Sequence, residues 1–426
     1  MGPGNRWSGC GRWFVTSSLA ALLVVLLTGA AEAGTFRTYY SFRGGNDGAN
    51  PSNVVADKAG SLYGVTFNGG SNNAGTVFRL TKAGGVWTNS ILYNFCAEPL
   101  CSDGYGPDGE LVMDEKGDLY GVTLWGGNPA CQYGCGVVFQ LHSTKSGWKY
   151  KVIHRFAGGG DGYYPQASLT LDESGNLYGT TSDADGLGFG TVFELTRSQG
   201  HWTHGVLHAF TDIGDDGSQP FAGVTIDPKG NLYGTTAYGG VYHDGTVYQI
   251  RSSKRGWSYK TLYSFNNDRI DGQIPYSGVT LDGAGKLYGA TYGGGDYTNQ
   301  TICGNGCGIV YQLTRRGGSW TEAILYKFGG GADGGAPSSD LILDGSGNIY
   351  GTTANGGDPA CDDGYGCGVA FELARGTWSE TVLHRFTGKK DGWEPGQLSF
   401  DQRGELRGNA GLGGKYNSGG LFTLKP

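Results

Sequence analysis

The chain has 426 residues, of which 83 are glycine and 13% are aromatic, and its formal net charge is −7. Typical proteins contain about 7% glycine, so the excess indicates many tight turns between short elements packed by large rings. The aromatic content excludes a disordered chain, and the lack of a Gly-X-Y period excludes collagen. No basic stripe is present, so we expect no nucleic-acid partner.

The first 33 residues have the layout of a secretory signal peptide. Arg6 and Arg12 precede an apolar run over residues 13–27, and Ala-Glu-Ala follows at residues 31–33. The run is short for a transmembrane span, which needs about 20 residues, although a retained anchor is the alternative. We therefore predict cleavage before Gly34, no membrane partner after cleavage and an extracellular or periplasmic location.

Eight cysteines follow residue 33, and they form four close pairs. An even number of cysteines in an exported chain indicates disulfides, and no histidine lies near a pair to complete a zinc site. The predicted bridges are Cys96–Cys101, Cys131–Cys135, Cys303–Cys307 and Cys361–Cys367. Each closes a small loop and should stabilise the fold by only about 2 kcal/mol. These bridges are expected to stiffen loops.

An internal repeat organises the chain after residue 33. The tripeptide Leu-Tyr-Gly or a close variant recurs every 55 to 62 residues, centred on Tyr63, Tyr120, Tyr178, Tyr233, Tyr288, Tyr350 and Arg407. Each unit is predicted to form four strands, a to d. An Asp-x-x-Gly hairpin joins strand a to strand b, which carries the tripeptide, and strand d runs from a Trp to a Phe eight residues later.

Four strands in each of seven units predict an all-β, seven-bladed β-propeller that occupies residues 34–426 as a single domain. An open β-solenoid is the alternative. A lone strand-d pattern at residues 39–42 precedes the first unit, and the last unit ends after strand c at residues 421–424. We therefore predict that the N-terminal strand completes the last blade and closes the ring.

The pattern D-G-x-x-P…D-x-x-G-N-L-Y-G-T-T…G-G…G-T-V-F-x-L resembles the GloVer tandem repeat of exported bacterial proteins. Its best copies are residues 161–195 and 216–250, and the resemblance covers residues 35–426. It implies an extracellular repeat protein and supplies no catalytic residue to transfer. The chain ends at Lys425-Pro426, and we expect it to lack the anchoring segment of some relatives.

Two sets of repeated polar residues invite a metal interpretation. Asp-Gly-x-x-Pro precedes strand a in every unit, with its aspartates at Asp47, Asp103, Asp161, Asp216, Asp271, Asp333 and Asp391. A turn that every blade needs explains this motif better than seven calcium sites. His154, His208 and His384 occupy a strand-d position that holds Tyr in other units, which favours packing over a metal trio. We predict neither a metal nor any other cofactor.

The candidate ligand-binding residues are the aromatic rings that break the repeat: Trp125, Tyr238, Tyr292 and Trp393. The first three follow strand b beside Gly-Gly, and Trp393 lies in the last Asp-Gly-x-x-Pro loop. Rings on loops stack against sugars or protein side chains, and packing against the next blade is the alternative. All four map to the end of the propeller that carries the b–c and d–a loops.

The chain contains no nucleophile elbow, zinc-protease or phosphate-binding motif, and we predict no catalytic residue. Asp183, Asp185, Glu98 and Glu394 are carboxylates outside the repeat positions, but their spacing in space does not follow from the sequence. The predicted function is a secreted, monomeric binding or surface-interaction module for a glycan or protein ligand. The alternative is an extracellular hydrolase or lyase acting on polysaccharide. Non-repeat polar residues at the channel mouth would favour an enzyme, whereas aromatic residues along the rim would favour binding.

Overall fold

Each sequence repeat forms one antiparallel sheet, and the seven sheets are the blades of a β-propeller, as predicted. The computed structural model describes residues 35–183, 188–254, 256–266, 268–299 and 301–426. The predicted signal peptide lies outside the described residues. Within those residues, no helix is long and apolar enough to cross a membrane.

The blades are numbered in chain order, and strand a of each blade borders a central channel. In the order a, b, c, d, the strands of blade 1 are Ala49–Pro51 with Val55–Ala56, Leu62–Asn68, Thr76–Ala83 and Val86–Asn94, those of blade 2 are Tyr105–Met113, Leu119–Trp125, Val137–Thr144 and Gly147–Arg155, and those of blade 3 are Thr170–Leu171, Leu177–Thr181, Thr191–Ser198 and His201–Ala209. Blade 4 has Thr225–Ile226, Leu232–Thr236, Thr246–Ser253 and Gly256–Ser264, and blade 5 has Thr280–Leu281, Leu287–Thr291, Ile309–Arg316 and Ser319–Lys327. Blade 6 has Gly335–Pro337 with Ile342–Leu343, Ile349–Asn355, Val369–Leu373 and Glu380–Arg385, and blade 7 has Trp393–Phe400, Leu406–Leu412, Gly420–Leu424 and Phe36–Ser41.

Short additional elements lie between these strands. Blades 4 and 5 each carry an extra two-stranded ladder, Gly217–Ser218 with Tyr238–Gly239 and Gly272–Gln273 with Gly293–Gly294. The 3-10 helices are Gly45–Asp47, Pro99–Cys101, Gly159–Asp161 and Asp362–Gly364.

The N-terminal strand closes the ring. Phe36–Ser41 pairs antiparallel with Gly420–Leu424, so the first strand of the described chain is strand d of the last blade. This pairing confirms the closure predicted from the repeat and removes two strand edges that an open array would leave exposed.

The hydrophobic core lies between neighbouring sheets. Leu119 and Phe139 of blade 2, for example, pack with Val77 and Phe95 of blade 1, and all four are buried. The glycine of the Leu-Tyr-Gly repeat is required by this packing, since a Cβ at Gly179 would lie 2.5 Å from the Phe193 ring. The glycine therefore recurs in every unit because each blade leaves no room for a side chain at this position.

A three-residue cluster joins each pair of neighbouring blades. A strand-d ring bonds to the aspartate of the following Asp-Gly-x-x-Pro turn, and a strand-d residue of the next blade completes the group. These inter-blade clusters are Tyr40/Asp47/Asn89, Tyr93/Asp103/Tyr150, His154/Asp161/His204, His208/Asp216/Tyr259, Tyr263/Asp271/Glu322, Tyr326/Asp333/Glu380 and His384/Asp391/Phe36. Each aspartate also accepts a backbone N–H within its own turn. The structural interpretation of the motif is confirmed.

The four predicted disulfides are present, as Cys96–Cys101, Cys131–Cys135, Cys303–Cys307 and Cys361–Cys367. The first lies in a d–a connection, and the others lie in b–c loops. All four therefore stiffen one end of the propeller, which we call the loop face. Four bridges are typical of an exported protein.

Candidate functional site

Strand a is interrupted where it borders the channel. The proline of Asp-Gly-x-x-Pro has no N–H for the ladder, and the residues after it leave the regular register, as between Asp108 and Val112 or between Pro395 and Leu398. At each interruption a short segment of the chain faces the channel. We call these the channel segments, and they are residues 52–53, 108–110, 166–168, 221–223, 276–278, 338–340 and 396–397.

Residues from all seven channel segments line one cavity of about 640 Å³. The lining reaches the loop face through residues at the ends of strands b, such as Phe67, Asn68 and Leu412. Four acidic residues border the cavity, namely Asp108, Glu110, Asp340 and Glu394, and its described lining includes no Lys, Arg or His. The channel is therefore acidic without a compensating base.

Hydrogen bonds between channel segments hold neighbouring blades together. The Glu110 N–H donates to Ser168 Oγ at 2.8 Å, and the Gly278 N–H donates to Asp340 Oδ1 at 2.6 Å. The Asp340 N–H in turn donates to Gln397 Oε1 at 3.1 Å. Blade 5 thus holds the Asp340 carboxylate, and blade 3 holds the backbone of Glu110.

The channel raises the pKa of its carboxyl groups. Burial, together with the charge of Asp340, raises the pKa of Glu110 to about 7, although the neighbouring Asn53 side chain opposes the shift. Burial also raises the pKa values of Asp108 and Asp340. Because no cation balances these groups, each resists ionisation.

Several buried oxygens in the channel lack a hydrogen-bond donor. Asn53 and Asn409 are only 1% and 8% exposed, and neither Oδ1 atom has a partner among the described residues. Their amide nitrogens donate elsewhere: Asn409 Nδ2 to the Pro51 carbonyl at 2.8 Å, and Asn53 Nδ2 to Ser399 Oγ at 3.2 Å. Glu110 Oε1 is likewise buried without a partner in the described chain. Native proteins rarely leave such atoms unpaired.

Two groups of aromatic rings reach the cavity at the loop face, the first through Phe67 and the second through Phe221 and Tyr276. On blades 1 and 2, Trp125 packs against Phe67 and Tyr105 with ring centroids 5.4 and 5.3 Å apart. We call these three residues the Trp125 group. Phe67 places this group at the cavity wall.

The second group lies on blades 4 and 5 and is centred on Tyr276. Its ring lies 5.2 Å from those of Phe221 and Tyr292, and Tyr238 lies within hydrogen-bonding reach of its hydroxyl. These four residues are the Tyr276 group. The structure thus brings together two of the predicted residues, Tyr238 and Tyr292, and half-buries both.

Trp393 occupies a different environment. It begins strand a of blade 7 and borders a small cavity of about 240 Å³ with Cys361, Cys367 and Gly388, apart from both aromatic groups. The four predicted rings therefore share the loop face but do not form one surface.

The arrangement that most resembles a metal centre is the His154/Asp161/His204 cluster, whose ligand atoms lie within 4.8 Å of one another. The two imidazoles are stacked, with centroids 4.0 Å apart and planes 11° apart. The lone pairs of parallel rings lie in separate planes and cannot converge on one ion. Both rings already bond to Asp161, at 3.2 and 3.0 Å. This cluster is an inter-blade contact.

Sequence reasoning missed the channel carboxylates and amides. Of the non-repeat carboxylates, Glu394 lines the cavity, the Asp183 backbone bridges to Tyr163, and Asp185 lies outside the described residues. A signal was present in the alignment of the units, because the last position of the three-residue channel segments holds Glu110, Ser168, Gly223, Gly278 and Asp340. Such variation in charge beside a fixed proline marks a position that the fold does not dictate.

The model of the Gloeobacter/Verrucomicrobia repeat family matches residues 25–228, 130–303 and 222–426. The chain belongs to this family, as its repeat pattern predicted. No curated protein matches the sequence.

Solved structures share the architecture at low identity. The extracellular domain of BT4673 from B. thetaiotaomicron aligns with a TM-score of 0.55 and 10% identity over 91% of this chain and 40% of that chain. A fungal alcohol oxidase of the AA5 family, solved with copper, aligns with a TM-score of 0.55 and 12% identity over 92% of this chain and 76% of its own. A gluconolactonase, XC5397 from Xanthomonas campestris, aligns at 0.43 with 12% identity over 92% and 89%. At such identities the likeness concerns the fold alone.

Proposed function

We propose that this member of the Gloeobacter/Verrucomicrobia repeat family is an exported binding module whose channel mouth holds a glycan. One observation carries the proposal: two aromatic groups reach, through Phe67, Phe221 and Tyr276, a cavity lined by carboxyl and amide groups. Sugars present C–H faces that stack on rings and hydroxyl groups that donate hydrogen bonds. The four disulfides support export and a preordered loop face.

The charge of the cavity favours a neutral glycan. Four carboxyl residues and no base line its described part, so a uronic acid or sulfated sugar would meet like charge at the mouth. A neutral oligosaccharide meets no such penalty, and its hydroxyls can donate to the exposed carboxyl of Glu394 at the cavity. A protein ligand is the alternative that the experiments have to distinguish from a glycan, since rings of this kind also anchor protein partners.

A glycan array probed with the full chain tests the proposal, followed by titration calorimetry on the strongest neutral ligand. Trp125→Ala, Tyr238→Ala and Tyr292→Ala should each weaken binding at least fivefold, or about 1 kcal/mol. Trp393→Ala should weaken binding less, because this ring belongs to neither aromatic group and borders a separate small cavity. Tyr365→Ala is the matched control, because this tyrosine is 48% exposed and belongs to neither aromatic group.

Three outcomes would contradict the proposal. Binding confined to acidic glycans would contradict the electrostatic argument, and affinities unchanged in all three channel-mouth variants would contradict the site. Product formation from a bound oligosaccharide, followed by chromatography, would instead assign an enzyme that acts on polysaccharide, the alternative that the non-repeat carboxyl groups of the channel favour.

A further inference from the structure

The channel holds a set of oxygen ligands that the protein itself does not satisfy. Asn53 Oδ1, Asn409 Oδ1 and Glu110 Oε1 are buried without a hydrogen-bond partner among the described residues. A buried acceptor without a donor costs about 1–3 kcal/mol. The Asn53 and Glu110 side chains interact with each other, whereas no donor of the described chain reaches Asn409 Oδ1, so this oxygen in particular requires a partner from outside the chain.

The charge of the same cavity indicates the sign of that partner. Glu110 and Asp340 interact electrostatically across the channel, and no basic side chain borders the described cavity. Buried carboxylates are normally paired with a cation or coordinate a metal. An anion or an apolar ligand would leave both the charges and the orphan oxygens uncompensated.

We propose that the channel binds a calcium ion through the carboxylates of Glu110 and Asp340 and the amide oxygens of Asn53 and Asn409, with water completing the shell. These residues come from blades 2, 6, 1 and 7, which are consecutive around the closed ring. The site differs from the sequence expectation of no metal.

The orientation of the Asn409 amide is fixed by its surroundings. Its nitrogen donates to the Pro51 carbonyl at 2.8 Å, and a carbonyl can only accept, so the amide cannot be turned without losing this bond. Its oxygen therefore remains directed away from Pro51. Asn409 occupies the strand-b position that holds Val, Thr or Ala in the other six units, as at Val65, Thr180 and Ala290. The last unit places a longer, polar amide there.

The ligand chemistry selects calcium. Carboxylate and amide oxygens with water suit a hard cation, and calcium accepts six to eight such ligands in irregular geometry, whereas magnesium demands a near-ideal octahedron. No histidine or cysteine borders the described cavity, so zinc and copper find none of their preferred ligands there. Calcium sites of extracellular modules have dissociation constants of about 10⁻⁴ to 10⁻³ M, and we expect this range.

The site does not depend on glycan binding, and its test uses no glycan. The EDTA-treated full chain is titrated with CaCl₂ in a calorimeter, and its thermal unfolding is followed in calcium, in magnesium and in EDTA. We expect saturable calcium binding and a rise in Tm with calcium that the same concentration of magnesium does not give.

Two isosteric variants locate the ion. Glu110→Gln and Asp340→Asn should each weaken calcium binding at least tenfold. Glu394→Gln is the control, because it removes the same charge from an exposed position at the same cavity, and it should change affinity less than threefold. Both channel variants should unfold in EDTA at or above the wild-type temperature, because each relieves repulsion between buried carboxylates.

Three results would overturn the proposal. The first is no calcium response up to 10 mM, a concentration about tenfold above the range expected for such sites. The others are an equal affinity for magnesium and calcium binding that persists in both channel variants. The unfolding measurements on the wild-type chain decide the first two even if a variant fails to fold. A chain that binds calcium and no glycan overturns only the proposed function.

Discussion

The inter-blade clusters and the channel segments both recur in seven equivalent positions, and both vary in sequence, but they vary in different ways. In every cluster the strand-d ring, whether Tyr or His, bonds to the aspartate of its turn at 2.7 to 3.3 Å. The channel segments keep no common partner. Glu110, Ser168 and Gly223 occupy one equivalent position and differ in both size and charge.

The two regions thus show two kinds of sequence variation. In the inter-blade clusters the fold compensates for a changed side chain, whereas in the channel segments it does not. The stacked pair Tyr93–Tyr150 becomes His154–His204 or Phe36–His384, and the ring centroids remain 3.7 to 4.0 Å apart. The spacing of the rings in these three clusters is kept while their chemistry changes, which is typical of a structural contact. In the channel, the changes leave acidic groups and acceptors facing a cavity, which is typical of a ligand site.

The largest expected effect comes from removing a cluster carboxylate. Asp103 is 2% exposed and accepts hydrogen bonds from the Tyr93 hydroxyl and from the backbone N–H groups of Ala97 and Glu98. Asp103→Ala removes three hydrogen bonds to a buried carboxylate and should lower the free energy of unfolding by about 3 kcal/mol. Urea denaturation followed by tryptophan fluorescence measures the change.

Asp108→Ala is the matched control, because it removes a carboxylate from the strand a that follows directly after Asp103. The Asp108 side chain accepts a hydrogen bond from the Gly109 N–H and faces the channel. Its removal should cost less than about 1 kcal/mol. Equal losses in the two variants would erase the distinction between clusters and channel segments.

The second expected effect concerns Tyr263/Asp271/Glu322, one of the two clusters in which two carboxyl groups meet. Burial and the neighbouring Asp271 raise the pKa of Glu322 to about 8. The folded protein thus holds this proton more tightly than the unfolded chain does, so its stability falls as the pH rises from about 4.5 to about 8. Glu322→Gln keeps the neutral form at every pH and should be more stable than wild type at pH 8.5 by about 1–2 kcal/mol, but not at pH 4.

Thermal and urea unfolding of both proteins across this pH range measure the difference. Glu173→Gln, at an exposed position in an a–b hairpin, should show no such dependence. A gain in stability that is constant with pH would indicate that packing, and not ionisation, distinguishes the variant.

The repeat made the architecture predictable because each unit carries its own turn chemistry. Asp172, for example, caps its hairpin with bonds to the N–H groups of Ser174 and Asn176 at 2.9 and 2.8 Å. Such contacts lie within a few residues, so the sequence pattern reveals them directly. Blade number, ring closure and disulfide pairing all follow from local spacing of this kind.

The channel was not predictable in the same way. Glu110 and Asp340 lie in distant units and meet only because the ring closes, and the breaks in strand a that turn them inward depend on neighbouring blades. Trp125, Tyr238 and Tyr292 could be named as repeat-breaking rings. Their partners Tyr276 and Phe221 could not, because they follow the proline of a motif already explained as a turn. The ligand-binding role of these rings stays a prediction.

The smallest expected effect is a change in the free energy of unfolding that has opposite signs in the channel segments and in the inter-blade clusters. Asp340→Asn keeps an oxygen for the Gly278 N–H and removes one of the charges that face Glu110 in an acidic cavity. In EDTA it should raise the free energy of unfolding by about 0.5–1 kcal/mol, since the uncompensated charge is costly. Asp103→Asn, by contrast, places an NH₂ group among donors and should lower stability. Saturating calcium should cancel the gain of Asp340→Asn, because the ion then stabilises only the wild-type channel fully. If Asp340→Asn is destabilising in EDTA, the channel carboxylate belongs with the structural aspartates, and the distinction between the two regions fails.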